Sequence, residues 1–115
     1  MISLAAQALA LAFAGIVPVS GQEAGTVAAG RRLALEVCAS CHVVSADRGR
    51  APILNPPAPA FVEIAARPEV TEASLRKFLS EPHRETRRNS AMPAFLLSAS
   101  QVDGVVAYLL SRKPK

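Results

Sequence analysis

The chain has two cysteines, Cys38 and Cys41, and His42 follows the second one directly. A disulfide across two intervening residues closes a very small loop, so it would remove little entropy from the unfolded chain. A structural zinc site needs four ligands, and the fourth candidate, His83, lies far downstream of the other three. A thioredoxin-like dithiol needs its cysteines at a helix start after a strand, whereas the residues before Cys38 have helical periodicity.

The remaining interpretation is the Cys-x-x-Cys-His motif for covalent attachment of haem. In this motif two thiols bond to the two vinyl groups of one haem, and the histidine that follows binds the iron. The spacing favours this interpretation, with zinc binding and dithiol chemistry as the alternatives. A chain of 115 residues has a marginal core, and a cofactor would supply the extra stabilisation that it needs.

The N-terminal residues 1–21 are predicted to be a signal peptide. Residues 2–19 carry no charge, and small residues around Gly21 suit cleavage within a few positions of it. Residues 22–115 would then be one exported domain, located in the periplasm. No Lys or Arg precedes the apolar stretch, so an uncleaved membrane anchor interrupted by Pro18 is the alternative.

All the charged side chains lie after Gly21, and the formal net charge is +4. Weak positive charge suits an acidic protein partner or an anionic surface. The charge is too diffuse, and aromatic residues are too scarce, for a nucleic-acid-binding protein. The length of 115 residues and a composition that is 50% apolar exclude a large two-domain enzyme, a collagen, a coiled coil and a polytopic membrane protein. After signal cleavage we expect no stable membrane insertion.

The hydrophobic pattern predicts an all-α fold with three main helices, short helical turns and long loops. No strand pattern longer than a few residues is present. The main helices are predicted over 26–38, 71–80 and from 98 onward, and a short one over 60–66. Thr26, Thr71 and Ser98 are the predicted N-caps, and the last forms a capping box with Gln101. In the last helix the apolar side chains recur at helical spacing and are assigned to the core: Val102, Val105, Val106, Leu109 and Leu110.

A proline-rich stretch, residues 43–60, follows the cysteine motif. Pro52, Pro56, Pro57 and Pro59 exclude a regular helix or sheet there. A long loop is unusual in so small a domain, but it is reasonable if the loop packs on a bound haem.

Residues 38–42 (Cys-Ala-Ser-Cys-His), with Met92-Pro93 downstream and a last helix that contains Tyr108, resemble the small class I c-type cytochromes. The resemblance extends over residues 25–112. It implies helices and loops wrapped round one covalently bound haem c, which carries single electrons between redox proteins. It also implies a close contact between Gly30 of the first helix and Tyr108.

The resemblance assigns the site residues as well. Cys38 and Cys41 would form the haem thioethers, and His42 would be the proximal axial ligand of the iron. Residues 51–54 (Ala-Pro-Ile-Leu) resemble the Gly-Pro-x-Leu element of the family, in which the proline carbonyl accepts a hydrogen bond from the axial histidine. Pro52 is therefore the predicted acceptor, and Leu54 is predicted to touch the haem ring.

The distal ligand is predicted to be Met92, the only methionine left once Met1 is removed with the signal. Pro93 restricts Met92 to an extended backbone and so fixes the direction of its side chain. The alternatives are ligation by His83 and an open coordination position.

Five arginines could act at the edge of the haem. Their alternative role is that of solvated loop charges. The first two, Arg48 and Arg50, could pair with the haem propionates. The other three could steer an acidic partner protein: Arg84, Arg87 and Arg88.

These observations predict a periplasmic electron carrier and not an enzyme, because two histidines and scattered carboxylates form no acid–base or nucleophilic constellation. One alternative is a haem subunit dedicated to a dehydrogenase or an oxidase. A second is a ligand-binding or gas-sensing haem protein, if Met92 does not bind the iron. A third is a dithiol oxidoreductase that uses Cys38 and Cys41 without haem.

Overall fold

The computed structural model describes residue 15 and residues 19–47, 51–81, 92–93 and 95–115. Within these residues the secondary structure is helical, apart from one isolated parallel bridge between His42 and Ala58. The all-α prediction is therefore confirmed. None of the described helices is both long and apolar enough to cross a bilayer. The helices are α1 (Val19–Leu33), which continues as a π-helical turn (Ala34–Cys38), α2 (Phe61–Ala66), α3 (Glu72–Ser80) and α4 (Ala99–Ser111).

Helix α1 begins earlier than the sequence pattern predicts. It starts at Val19, so Thr26 lies inside the helix and is not its N-cap. Good helix formers such as Glu23 precede Thr26, and a favourable cap residue does not by itself stop a helix from continuing. At its other end the helix widens, because the amide of Ala39 donates to the carbonyl of Ala34, 3.0 Å away and five residues back.

Helices α3 and α4 begin where their capping residues predict. The amide of Ser74 donates to Thr71 Oγ1 at 3.1 Å, and the amide of Thr71 donates to Ser74 Oγ at 2.8 Å. At α4 the amide of Gln101 donates to Ser98 Oγ at 3.2 Å, and Gln101 Oε1 accepts from the amide of Ser98 at 2.8 Å. These reciprocal bonds satisfy amides that have no partner within the helix, so the predicted caps are confirmed.

The core is built on the crossing of α1 and α4, where two glycines meet. A Cβ placed on Gly30 would lie 1.8 Å from the carbonyl oxygen of Gly104 and 3.0 Å from Tyr108 Cβ. The predicted neighbour, Tyr108, is present, but the closest atoms belong to the backbone of Gly104. The two helices therefore approach within backbone contact, which only glycine permits.

The apolar face of α4 packs in the core, as predicted. On the outer face of α4, an ion pair connects this helix to α3. Arg76 pairs with Glu72 on its own helix at 2.9 Å and with Asp103 on α4. These side chains remain partly exposed, so the pairs fix the relative position of α3 and α4 more than they add stability. The buried apolar residues of the helical core come from the π-helical turn and from α2, α3 and α4: Ala34, Phe61, Ala65, Leu75, Val102, Val105, Val106, Tyr108 and Leu109.

Candidate functional site

The cysteine motif lies on the turn that ends the first helix. Cys38 is the last residue of the π-helical turn, and its carbonyl accepts hydrogen bonds from the amides of Cys41 and His42 at 3.2 and 2.9 Å. The turn therefore holds the backbone of the three motif residues in one tight arrangement. Both cysteines are half-buried free thiols.

The surroundings of Cys38 are apolar. Burial, with a smaller contribution from the nearby Cys41, raises the pKa of its thiol to about 11. Cys38 is therefore a protonated thiol at neutral pH. The low polarity that disfavours the thiolate is also the environment that a large apolar ring requires.

The imidazole of His42 has a fixed orientation. Its Nδ1 lies 2.6 Å from the carbonyl oxygen of Pro59. A carbonyl can only accept, so Nδ1 carries the proton and Nε2 keeps its lone pair for a metal. The ring of Phe61, with its centroid 5.8 Å away and its plane tilted by 59°, packs on the imidazole. This is the arrangement that a metal-binding histidine needs, because the second nitrogen fixes the tautomer.

The carbonyl that orients His42 differs from the predicted one, because it belongs to Pro59 and not to Pro52. The amides of Ile53 and Leu54 donate to the carbonyl of Ser40 at 2.9 and 3.1 Å. Those bonds place the segment that contains Pro52 beside the middle of the cysteine motif, at Ser40. Leu54 is 44% exposed, and its predicted contact with the haem stays a prediction.

A second proline-containing element with the same pattern lies beside His42, where residues 51–54 were predicted to lie. Residues 58–61 (Ala-Pro-Ala-Phe) repeat the spacing of residues 51–54. The amide of Ala58 donates to the carbonyl of Cys41 at 2.8 Å, and the amide of Phe61 donates to that of Val43 at 2.9 Å. The sequence signal for this element was its last residue, Phe61, which is buried in the core and is also the first residue of α2.

The other predicted ligand, Met92, is half-buried, and Pro93 beside it is exposed. His83 and the five arginines predicted to act at the haem edge lie outside the described residues. Within the described ranges, no three or more His, Cys, Asp and Glu side chains converge as a metal site.

The residues present fit a haem. Two thiols, an imidazole and a thioether are the donor set of a His/Met haem c site. Apolar side chains beside these donors are also unusually exposed, which an apolar ring in contact with them would explain. They lie within the proline-rich loop or a few residues after Met92: Val43 (39% exposed), Ile53 (87%), Leu54 (44%), Phe95 (41%) and Leu96 (104%).

Comparison with known proteins agrees with this geometry. Residues 27–113 match the family model described as Cytochrome c. The chain is 36% identical over 85 residues to a protein of Bradyrhizobium diazoefficiens named Cytochrome c-552, an alignment that covers 74% of this chain and 73% of the relative. No solved structure matches the chain significantly. The chain belongs to the cytochrome c family, whose members are electron carriers with covalently bound haem c.

Proposed function

We propose that the protein is a periplasmic carrier of single electrons between redox proteins. Cys38 and Cys41 hold the haem through thioether bonds, and His42 and Met92 bind the iron from its two sides. The observation that carries this assignment is the hydrogen bond from His42 Nδ1 to Pro59, because it presents Nε2 as a ligand beside two thiols.

The bound haem supplies an iron that alternates between the ferric and ferrous states. The side chains and backbone around the iron determine how easily it is reduced. The carbonyl of Pro59 makes the imidazole of His42 a stronger electron donor, whereas the thioether of Met92 favours the ferrous state. If His42 and Met92 both bound the iron, they would leave no position on it for a substrate, and electron transfer is the chemistry that the haem would then supply.

The proposed partners are redox proteins with an acidic docking surface. The net charge of +4 supports this choice, as does the run that contains Arg84, Arg87 and Arg88 shortly before Met92. Residues 1–21 are the proposed signal peptide, which gives the periplasmic location.

Replacement of Met92 by alanine tests the distal ligand. The chain is produced with haem-ligation machinery, and optical spectra are recorded in both oxidation states. The wild type is expected to show a c-type spectrum with a weak sulfur-to-iron band at long wavelength and little binding of carbon monoxide. Met92→Ala is expected to lose that band and, once reduced, to bind the gas readily, because one axial position is open.

Val62→Ala is the control, since Val62 is an apolar residue of α2 that is 41% exposed and is not among the side chains assigned to the haem. It should keep both the band and the resistance to carbon monoxide. A wild-type protein without the band would contradict Met92 ligation and favour His83 or an open position. A wild-type protein without covalent haem would contradict the function itself.

A further inference from the structure

The hydroxyl of Tyr108 makes a buried hydrogen bond across the fold. It donates to the carbonyl oxygen of Val44 at 2.6 Å. Tyr108 is 3% exposed and Val44 is 2% exposed, so this bond is removed from water. It joins the last helix to the backbone just two residues after His42.

Residues 42–44 also bond to the segment that contains Pro59, whose carbonyl orients His42. The carbonyl of Val43 accepts from the amide of Phe61 at 2.9 Å, and Pro59, whose carbonyl binds His42, lies two residues before Phe61. The ring of Phe61 contacts both the imidazole of His42 and the ring of Tyr108. Its centroid is 5.8 Å from that of His42 and 6.2 Å from that of Tyr108.

The hydroxyl of Tyr108 is not needed for packing between the helices. The contact with Gly30 is made by Tyr108 Cβ, and the contact with Phe61 is made by the aromatic ring. A phenylalanine would supply both. Among the contacts of the described residues, the hydrogen bond to Val44 is the one that requires a tyrosine, so the hydroxyl has a role separate from the core.

We propose that the Tyr108 hydroxyl positions His42. It fixes residues 42–44 against α4, and this keeps the imidazole aligned with the carbonyl of Pro59 through the backbone bond between Phe61 and Val43. Tyr108 is thus a positioning residue that acts through the backbone and touches neither haem nor iron. This inference rests on the proposed function, in which His42 is an axial ligand.

The test is Tyr108→Phe in the haem-loaded protein, with Ser98→Ala as the matched control. Tyr108→Phe loses the hydrogen bond to Val44, and Ser98→Ala loses the two bonds of its hydroxyl, with the Gln101 amide and with Ser100 Oγ. Each variant is expected to raise the unfolded fraction by about fivefold. Ser98 lies at the far end of α4 and bonds only to residues beside it in the contacts described. The control therefore reproduces the loss of stability without altering residues 42–44.

Two measurements separate positioning from stability. In ferrous protein, NMR should show the His42 Nδ1 proton exchanging with solvent about fivefold faster in Tyr108→Phe than in Ser98→Ala. The reduction potential should rise in Tyr108→Phe alone, because a weaker bond to Pro59 makes the imidazole a poorer electron donor to the iron.

Equal exchange rates and equal potentials in the two variants would overturn the proposal and leave Tyr108 a packing residue. That result differs from failure of the proposed function. The latter would already appear in the wild type, as absent covalent haem or as a His42 that does not bind the iron.

Discussion

Gly30→Ala is expected to lower the free energy of unfolding by about 3 kcal/mol or more. The new Cβ would lie 1.8 Å from the carbonyl oxygen and 2.3 Å from the carbonyl carbon of Gly104. Both are backbone atoms, so no side-chain rotation can relieve the overlap, and α1 and α4 must move apart. The loss is a large part of the total stability of a small domain, and chemical denaturation followed by circular dichroism would measure it.

Gly25→Ala is the control, since Gly25 lies on the same helix and a Cβ there meets nothing within 4 Å. It should stabilise the protein by up to about 1 kcal/mol, because alanine favours a helix over glycine. Nearly equal unfolding free energies for the two variants would show that α1 and α4 do not meet at Gly30.

Replacing Cys38 and Cys41 together by serine is expected to abolish covalent haem attachment. A hydroxyl at these positions cannot form a thioether. Haem should then be removed by acid and organic solvent, and the intact mass should equal that of the polypeptide alone. The wild type should keep its haem through the same extraction.

Ser40→Ala is the control for the cysteine pair, because it changes an exposed side chain between them and leaves the Ser40 carbonyl in place. It should retain covalent haem. A haem-sized mass on the chain that lacks both cysteines would exclude thioether attachment.

The parts of the fold that depend on nearby residues could be predicted from the sequence. Thr71 and Ser98 cap α3 and α4 through bonds that reach only three residues along the chain. The apolar face of α4 repeats at the helical period, so the burial of Val102 and Val106 followed directly.

The parts of the fold and of the site that depend on contacts between distant segments could not be predicted from the sequence. Pro52 and Pro59 lie in elements of the same pattern. Pro59 meets the histidine because Ala58 and Phe61 bond to the backbone on either side of His42. Gly104 had no feature in the sequence that marked it as the partner of Gly30, because a tolerated glycine on a helix surface has the same local pattern.

The hydrogen bond between Ala58 and Cys41 also limits how the length of the proline-rich loop can change. Ala58 has an amide to donate, but both of its neighbours, Pro57 and Pro59, have none. Insertion of one residue before Pro57 would bring that proline opposite the carbonyl of Cys41, and deletion of one residue would bring Pro59 there. A single-residue change in either direction therefore removes the donor, so this stretch should accept substitutions far more readily than insertions or deletions.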